Sequence, residues 1–168
     1  MGYIDRYAII IDKICDRTIL GKKMLQKLMY LMERKGVDLN LNYSIHFYGP
    51  YSSKLDNAIQ VLSSRDIINI DTSGMMHQIH IRDLSEVDND LEEIEIQRVD
   101  FILDHFSSKT ANELEALTTL DFVAKEVLKS SGRDEDIIEE VKKIKGSKYT
   151  TEYLQKELRI LKDFGFLN

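Results

Sequence analysis

The chain has 168 residues, of which 43% are hydrophobic, enough for one or two small cores and too few for several domains. No apolar run approaches the roughly 20 residues of a membrane span. The start, MGYIDRYAIIIDKICD, has acidic residues and no small-residue cleavage site, so the chain reads as cytoplasmic rather than secreted. The net charge is −6, with a single cysteine; residues 1–84 carry +2 and residues 85–168 carry −8, so the chain as a whole repels nucleic acid and any DNA contact is expected in the first half.

Ile4, Tyr7, Ala8, Ile11, Ile14 and Cys15 recur at three- and four-residue spacing and predict an amphipathic helix, with Cys15 a buried free thiol. Gly21 opens a second helix, KKMLQKLMYLMERKG, with Leu25, Leu28, Met29 and Met32 as its buried stripe and Gly36 past its end. LNYSIHFYG reads as a short strand. A Gly49-Pro50 corner with Tyr48 and Tyr51 on either side follows it. Leu55, Ala58, Ile59 and Leu62 mark a third helix, capped by Ser52 or Ser53. Two strand-like runs, around Ile67–Ile70 and Met76–Ile81, flank a Ser73-Gly74 turn and predict a hairpin. Helix, helix, strand, helix, hairpin is the order of a winged helix, with the third helix for recognition and the hairpin as wing.

SEVDNDLEEIE is the weakest apolar stretch and is taken as the boundary between residues 1–84 and an acidic helical region, 85–168, packed on them. Leu91, Ile94, Val99, Ile102, Leu103 and Phe106 predict a long helix. Thr110 and Glu113 form a capping box for the next, which Leu114, Leu117, Leu120, Val123 and Val127 continue. Ile137, Ile138, Val141 and Ile144 predict another, stopped at Gly146, and Thr150 or Thr151 caps the last, which carries Leu154, Leu158 and Leu161. The spacing of Leu154, Leu158, Leu161 and Phe166 repeats that of Leu55, Ile59, Leu62 and Ile67, so the chain could end in a helix-turn-helix without its wing. The plainer reading is that capped amphipathic helices share this spacing. The fold class expected is α+β, mostly α.

LQKLMYLMERKGV, YSIHFYGPYSSKLDNAIQVLSSRDIINI and TANELEALTTLDFVAK, in this order and at these distances, resemble the YwgA-like family of uncharacterised bacterial and archaeal proteins. More distantly, Lys27-Leu28-Met29-Tyr30 and Gly49-Pro50 resemble the Panacea domain of SocA-type antitoxins, whose strand carries a tryptophan that this chain lacks. The second resemblance implies a protein that neutralises or scaffolds another protein.

Little in the sequence suggests catalysis. His77 and His80 lie three apart in a predicted strand and so point to opposite faces. With one cysteine, a zinc site of the usual ligand sets is not expected. His46 is expected on the outer strand face and His105 at a helix end. The carboxylates of DNDLEEIE and DEDIIEE read as solvated helix faces, and no phosphate-binding glycine loop is present. We therefore expect no enzyme, no cofactor and no metal.

For DNA, the exposed positions of the third helix should be Ser53, Lys54, Asp56, Asn57, Gln60 and Ser64, with Lys22, Lys23, Lys27, Arg34 and Lys35 of the second helix available for phosphates. Asp56 opposes this, and the wing tip has no Lys or Arg but Met75 and Met76, which suit a protein contact unless one of them tucks into the core. The expected function is an antitoxin-like regulatory or adaptor protein gripping a protein partner through Tyr48, Gly49, Pro50, Tyr51, Lys54, Asn57 and Met75. A winged-helix transcriptional regulator on DNA is the alternative, and a homodimer through the acidic half is left open.

Overall fold

Apolar residues at helical spacing and β-branched residues in short runs give a mostly helical α+β fold with two small antiparallel sheets. A computed structural model describes Gly2–Asn168. The elements run α1 (Tyr3–Cys15), β1 (Leu20–Gly21), α2 (Lys22–Arg34), β2 (Ser44–His46), β3 (Gly49–Tyr51), α3 (Ser53–Ser64), β4 (Ile68–Asp71), β5 (Gln78–Ile81), α4 (Glu93–Phe106), α5 (Ala111–Phe122), a π-helical turn (Val123–Val127), α6 (Asp134–Lys145) and α7 (Thr151–Asp163). Among the described residues no helix is long and apolar enough to cross a membrane.

These elements fall into two compact units that do not follow chain order: one holds the chain up to Tyr43 and Ser52–Thr110, the other Ser44–Tyr51 and Ala111–Asn168. In the first, α1, α2 and α3 bury Ile10, Ile11, Ile14, Leu25, Leu28, Ile59 and Leu62, and α4 packs Val99, Ile102 and Phe106 beside α2. A three-stranded sheet of order β1-β5-β4 lies with them, registered by Leu20 opposite Ile79 and Ile70 opposite Ile79 from the other side. In the second unit, α5 packs against β3, α6 and α7.

Two helices depart from the amphipathic pattern expected of them. Residues 25–32 of α2 are all buried, including Gln26 and Lys27, and so are residues 114–122 of α5, including Glu115, Thr118, Thr119 and Asp121. A helix buried on every side must have its polar groups paired. Gln26 shows how this is done. Its side-chain amide donates to the Ser52 carbonyl at 2.9 Å, and its carbonyl oxygen accepts from the Ser52 N–H at 2.8 Å. The Ser52 hydroxyl donates to the Leu41 carbonyl at 2.5 Å and accepts from the Leu55 N–H at 3.1 Å, so Ser52 is the N-cap of α3. The Tyr43 hydroxyl donates to the Gln26 carbonyl at 2.8 Å. The residues just before and just after the β2–β3 hairpin therefore bond to the same glutamine.

The Gly-Pro pair is not a corner between strand and helix. Gly49 and Pro50 belong to β3, paired with His46 and Ile45 of β2. Proline is confined to sheet edges because it cannot donate to a ladder, and a two-stranded ribbon has only edges. Gly49 has φ 93, in the left-handed region that favours glycine, where the turn at Phe47 and Tyr48 closes. Launching α3 falls instead to Ser52 and Gln26.

α3 and α7 share more than spacing. Ile67 N–H bonds the Leu62 carbonyl and Phe166 N–H the Leu161 carbonyl, each after a left-handed residue, Asp66 or Gly165. α2 ends the same way, with Val37 bonded to Met32 after Gly36, so α2, α3 and α7 share this closure.

Glu95 is not part of a solvated face. It is buried, takes the Arg6 guanidinium at 2.7 Å and accepts from the N–H groups of Asp38 and Glu92. Burial alone would raise its pKa, but the Arg6 bond and the two N–H groups outweigh it and hold the carboxyl below its usual value.

Two stability outcomes are expected from chemical denaturation. Gln26→Leu strands the Ser52 backbone groups and costs about 2–4 kcal/mol, whereas Gln60→Ala, at an exposed position, stays within about 0.5 kcal/mol. Glu95→Gln costs about 2 kcal/mol at neutral pH. A depressed folded pKa gives stability that is present above the usual carboxylate range and lost as pH falls through the lower folded value, so the gap between wild type and Glu95→Gln closes below about pH 4.

Candidate interaction surface

The residues expected to meet a partner fall on three pieces of structure. The first is α3. Ser53, Lys54, Asn57, Gln60, Ser64 and Arg65 are exposed along it and Asp56 is half-buried. Lys54 reaches the Asn40 carbonyl at 3.4 Å. Of the cations assigned to phosphates from α2, Lys27 is only 2% exposed and is unavailable to any external ligand.

The second piece is the hairpin of β4 and β5, expected from the sequence to be a wing. Neither methionine tucks into the core: Met75 is fully exposed and Met76 is 56% exposed. β1 runs beside it, antiparallel to β5, and Leu20 points into the core. Ile19, on the opposite side of the strand, is 66% exposed. Gly21 has no side chain, and a Cβ there would lie 3.3 Å from the Met76 sulfur and 3.5 Å from the His77 carbonyl. The glycine is the seat on which Met76 lies.

α2 starts directly at this edge. Its N-cap is Gly21, which supplies no side-chain cap, and its first two residues are Lys22 and Lys23 with no acidic residue in the first turn. Cations at a helix N-terminus oppose the helix dipole, at a cost of about 0.3–1 kcal/mol each. Sequence reading missed Ile19, β1 and this charge placement. The available signal was a pair of lysines opening a helix with no acid to balance them.

The third piece is the β2–β3 hairpin, described in its own unit. Phe47 is 86% exposed at the turn and Tyr48 is exposed beside it, with their ring centroids 5.7 Å apart. Gly49 and Pro50 are buried and Tyr51 is half-buried, its ring 4.7 Å from that of His46. Of the four residues expected here, Tyr48 is the one that presents its side chain fully.

The turn is held by charge. The ammonium of Lys145, at the end of α6, donates to the Phe47 carbonyl at 2.5 Å and lies 3.0 Å from the Glu115 carboxylate. Glu115, wholly buried on α5, also takes Lys148 at 2.8 Å and the Tyr149 hydroxyl at 3.0 Å on the same oxygen. Burial and the neighbouring Glu115 charge push the Tyr149 hydroxyl well above its ordinary pKa, so it stays a donor. Lys148 and Tyr149 of this cluster also line, with Asn112, Glu113, Thr150 and Tyr153, an open cavity of about 350 Å³.

Burial, with Asp12 and Asp16 nearby, pushes the Cys15 thiol up to about 11, and its sulfur faces the Ile79 carbonyl at 3.5 Å. A thiol so raised is protonated at neutral pH. Among the described residues no group of three or more His, Cys, Asp or Glu side chains is placed to hold a metal ion.

No protein-family model matches the chain. The chain is similar to the uncharacterised protein YwgA of Bacillus subtilis (strain 168), with 26% identity over 158 residues covering 86% of this chain and 87% of that protein. The likeness to YwgA read from the motifs thus extends over most of both chains.

The cation placement on α2 has a measurable signature. Lys22→Glu replaces an opposed charge by a favourable one and is expected to raise stability by about 0.5–1 kcal/mol in denaturant titration.

Proposed function

We propose that this chain is a non-enzymatic regulatory or adaptor protein, antitoxin-like in kind, whose first unit is a winged-helix module that binds a protein partner. The winged-helix reading is supported by the order α1-β1-α2-α3-β4-β5 and by the sheet order β1-β5-β4, in which the strand before α2 pairs with the far strand of the wing. The resemblance of Lys27-Leu28-Met29-Tyr30 and Gly49-Pro50 to the Panacea domain supports the antitoxin-like class. YwgA, itself uncharacterised, adds no activity to it.

The observation that carries the protein-partner reading is the wing. It presents two exposed methionines and has no Lys or Arg at its tip. Phosphate needs cations, whereas exposed, adaptable apolar side chains gain by covering one another. Lys54, Asn57 and Met75 are the side chains of the first unit assigned to the contact; Tyr48, Gly49, Pro50 and Tyr51 belong to the hairpin of the other unit. The second reading, a DNA-binding regulator, is favoured by Lys54, Asn57, Gln60 and Arg65 on the exposed side of α3. Asp56 on that helix and the burial of Lys27 weigh against it.

The two readings separate in one pair of experiments. The tagged chain, purified from its own source cells, is expected to retain a protein in stoichiometric amount that Met75→Ser with Met76→Ser loses and Lys54→Glu keeps. Labelled genomic DNA fragments are expected not to be retained. Retention of DNA that falls steeply with salt and disappears in Lys54→Glu would replace this reading by the regulator.

A further inference from the structure

The methionines of this chain are unevenly placed. Met29 and Met32 are wholly buried on α2 and Met24 is half-buried at its start, whereas Met75 is fully exposed and Met76 is 56% exposed, side by side in the β4–β5 hairpin. A thioether in water is open to peroxide, and one in a close-packed core is shielded from it. The single cysteine does not compete, because Cys15 is held as the protonated thiol. Met76 also has a structural place. Gly21, with φ −101 and ψ 166, is in extended backbone that any residue adopts, so its conformation does not call for glycine. The space does: a Cβ there would lie 3.3 Å from the Met76 sulfur and 3.5 Å from its Cγ. Gly21 is one of the two residues of β1, which joins β5 through the pairs Leu20–Ile79 and Gly21–Gln78. The Met76 side chain thus covers the end of a very short ladder, at the point where α2 begins.

We propose that Met75 and Met76 are an oxidation site for hydrogen peroxide, and that oxidation of Met76 loosens the β1–β5 ladder its side chain covers. In the step, a sulfur lone pair attacks one peroxide oxygen. The S–O bond forms, the O–O bond breaks, and the second oxygen leaves with both protons as water. Sulfur loses two electrons and the peroxide gains them. Met75 reacts first because its side chain is in water on every side; Met76, with its sulfur against Gly21, follows. The product is polar and pyramidal at sulfur. Its oxygen is hydrated in preference to being held against the backbone of Gly21, so the side chain turns out to water and the end of the ladder is uncovered. Sulfoxide reductases reverse the change: the oxygen leaves as water while a pair of thiols becomes a disulfide. The hairpin thereby couples the redox state of its surroundings to the strand that opens α2.

The test is a time course of the full chain in dilute hydrogen peroxide, followed by peptide mass mapping and by amide hydrogen exchange. Sulfoxide is expected at Met75, then at Met76, ahead of Met24, with Met29 and Met32 unreacted. Exchange at Leu20, Gly21, Gln78 and Ile79 is expected to rise about tenfold as Met76 is oxidised, while exchange in α5 stays as it was. Met75→Leu confines oxidation of the hairpin to Met76 without touching the seat on Gly21, and its exchange is expected to rise as in the wild type. Peroxide-treated Met76→Leu is expected to show no rise, and reductases for both sulfoxide epimers are expected to restore the starting exchange. Oxidation of Met24, Met29 or Met32 before the pair overturns the proposal. So does oxidation of Met76 that leaves the ladder's exchange unchanged, or that raises exchange equally throughout the chain. The readout lies in the fold itself and needs no partner, so its failure leaves the protein-partner reading standing.

Discussion

The bidentate bond between Gln26 and the backbone of Ser52 is the constraint on which the arrangement of the first unit depends. A side-chain amide here does what a neighbouring strand would do: it gives one donor and one acceptor to the backbone of a single residue. It can do so because α2 is buried on all sides at this level and no water competes. The same residue receives Tyr43 on its backbone. One position thereby fixes the place where the chain leaves the first unit, the place where it returns, and the first turn of α3. The direction of α3 is set before any of its apolar residues pack.

The surface follows a different economy. The interior pairs its charges closely, as Arg6 with Glu95 in one unit and Lys145 with Glu115 in the other. Around the wing the chain leaves apolar area in water and puts like charges where a helix least wants them. Burying an apolar side chain gains roughly 1.5–3 kcal/mol, so three such groups held in solvent forgo a considerable part of what a small module can gain by folding. The contrast between an interior of paired charges and an edge of exposed apolar side chains separates what holds this molecule together from what it presents.

Most of the helices were legible because each keeps one face in water, and the alternation of apolar and polar residues records that face. α1, α3, α6 and α7 follow their spacing, and Ser52, Gly146 and Thr150 end or begin them as their chemistry dictates. What was illegible depended on partners remote in the chain. β1 is two residues long and exists because β5 pairs with it; nothing local marks it. Gly49-Pro50 carried a strong turn signal, yet the turn lies at Phe47 and Tyr48 and the pair that looks like a corner is a strand. Lys27 and Glu95 read as solvated charges because the sequence does not record which charged residue faces the core. At the candidate surface, Tyr48, Lys54 and Met75 lie exposed, and so does Ile19 just before β1.

The interleaving of the two units in the chain has a consequence for synthesis. The hairpin Ser44–Tyr51 belongs with α5, whose first residue leaves the ribosome about 60 residues later. The first unit can close around Gln26 while the hairpin still lacks the helix it packs against. The ribosome therefore makes the second unit in two instalments, and its nascent hairpin, with Phe47 and Tyr48 at the tip, must stay soluble through the interval. Neither unit corresponds to a continuous fragment. A cut at any single peptide bond leaves part of one unit attached to the other.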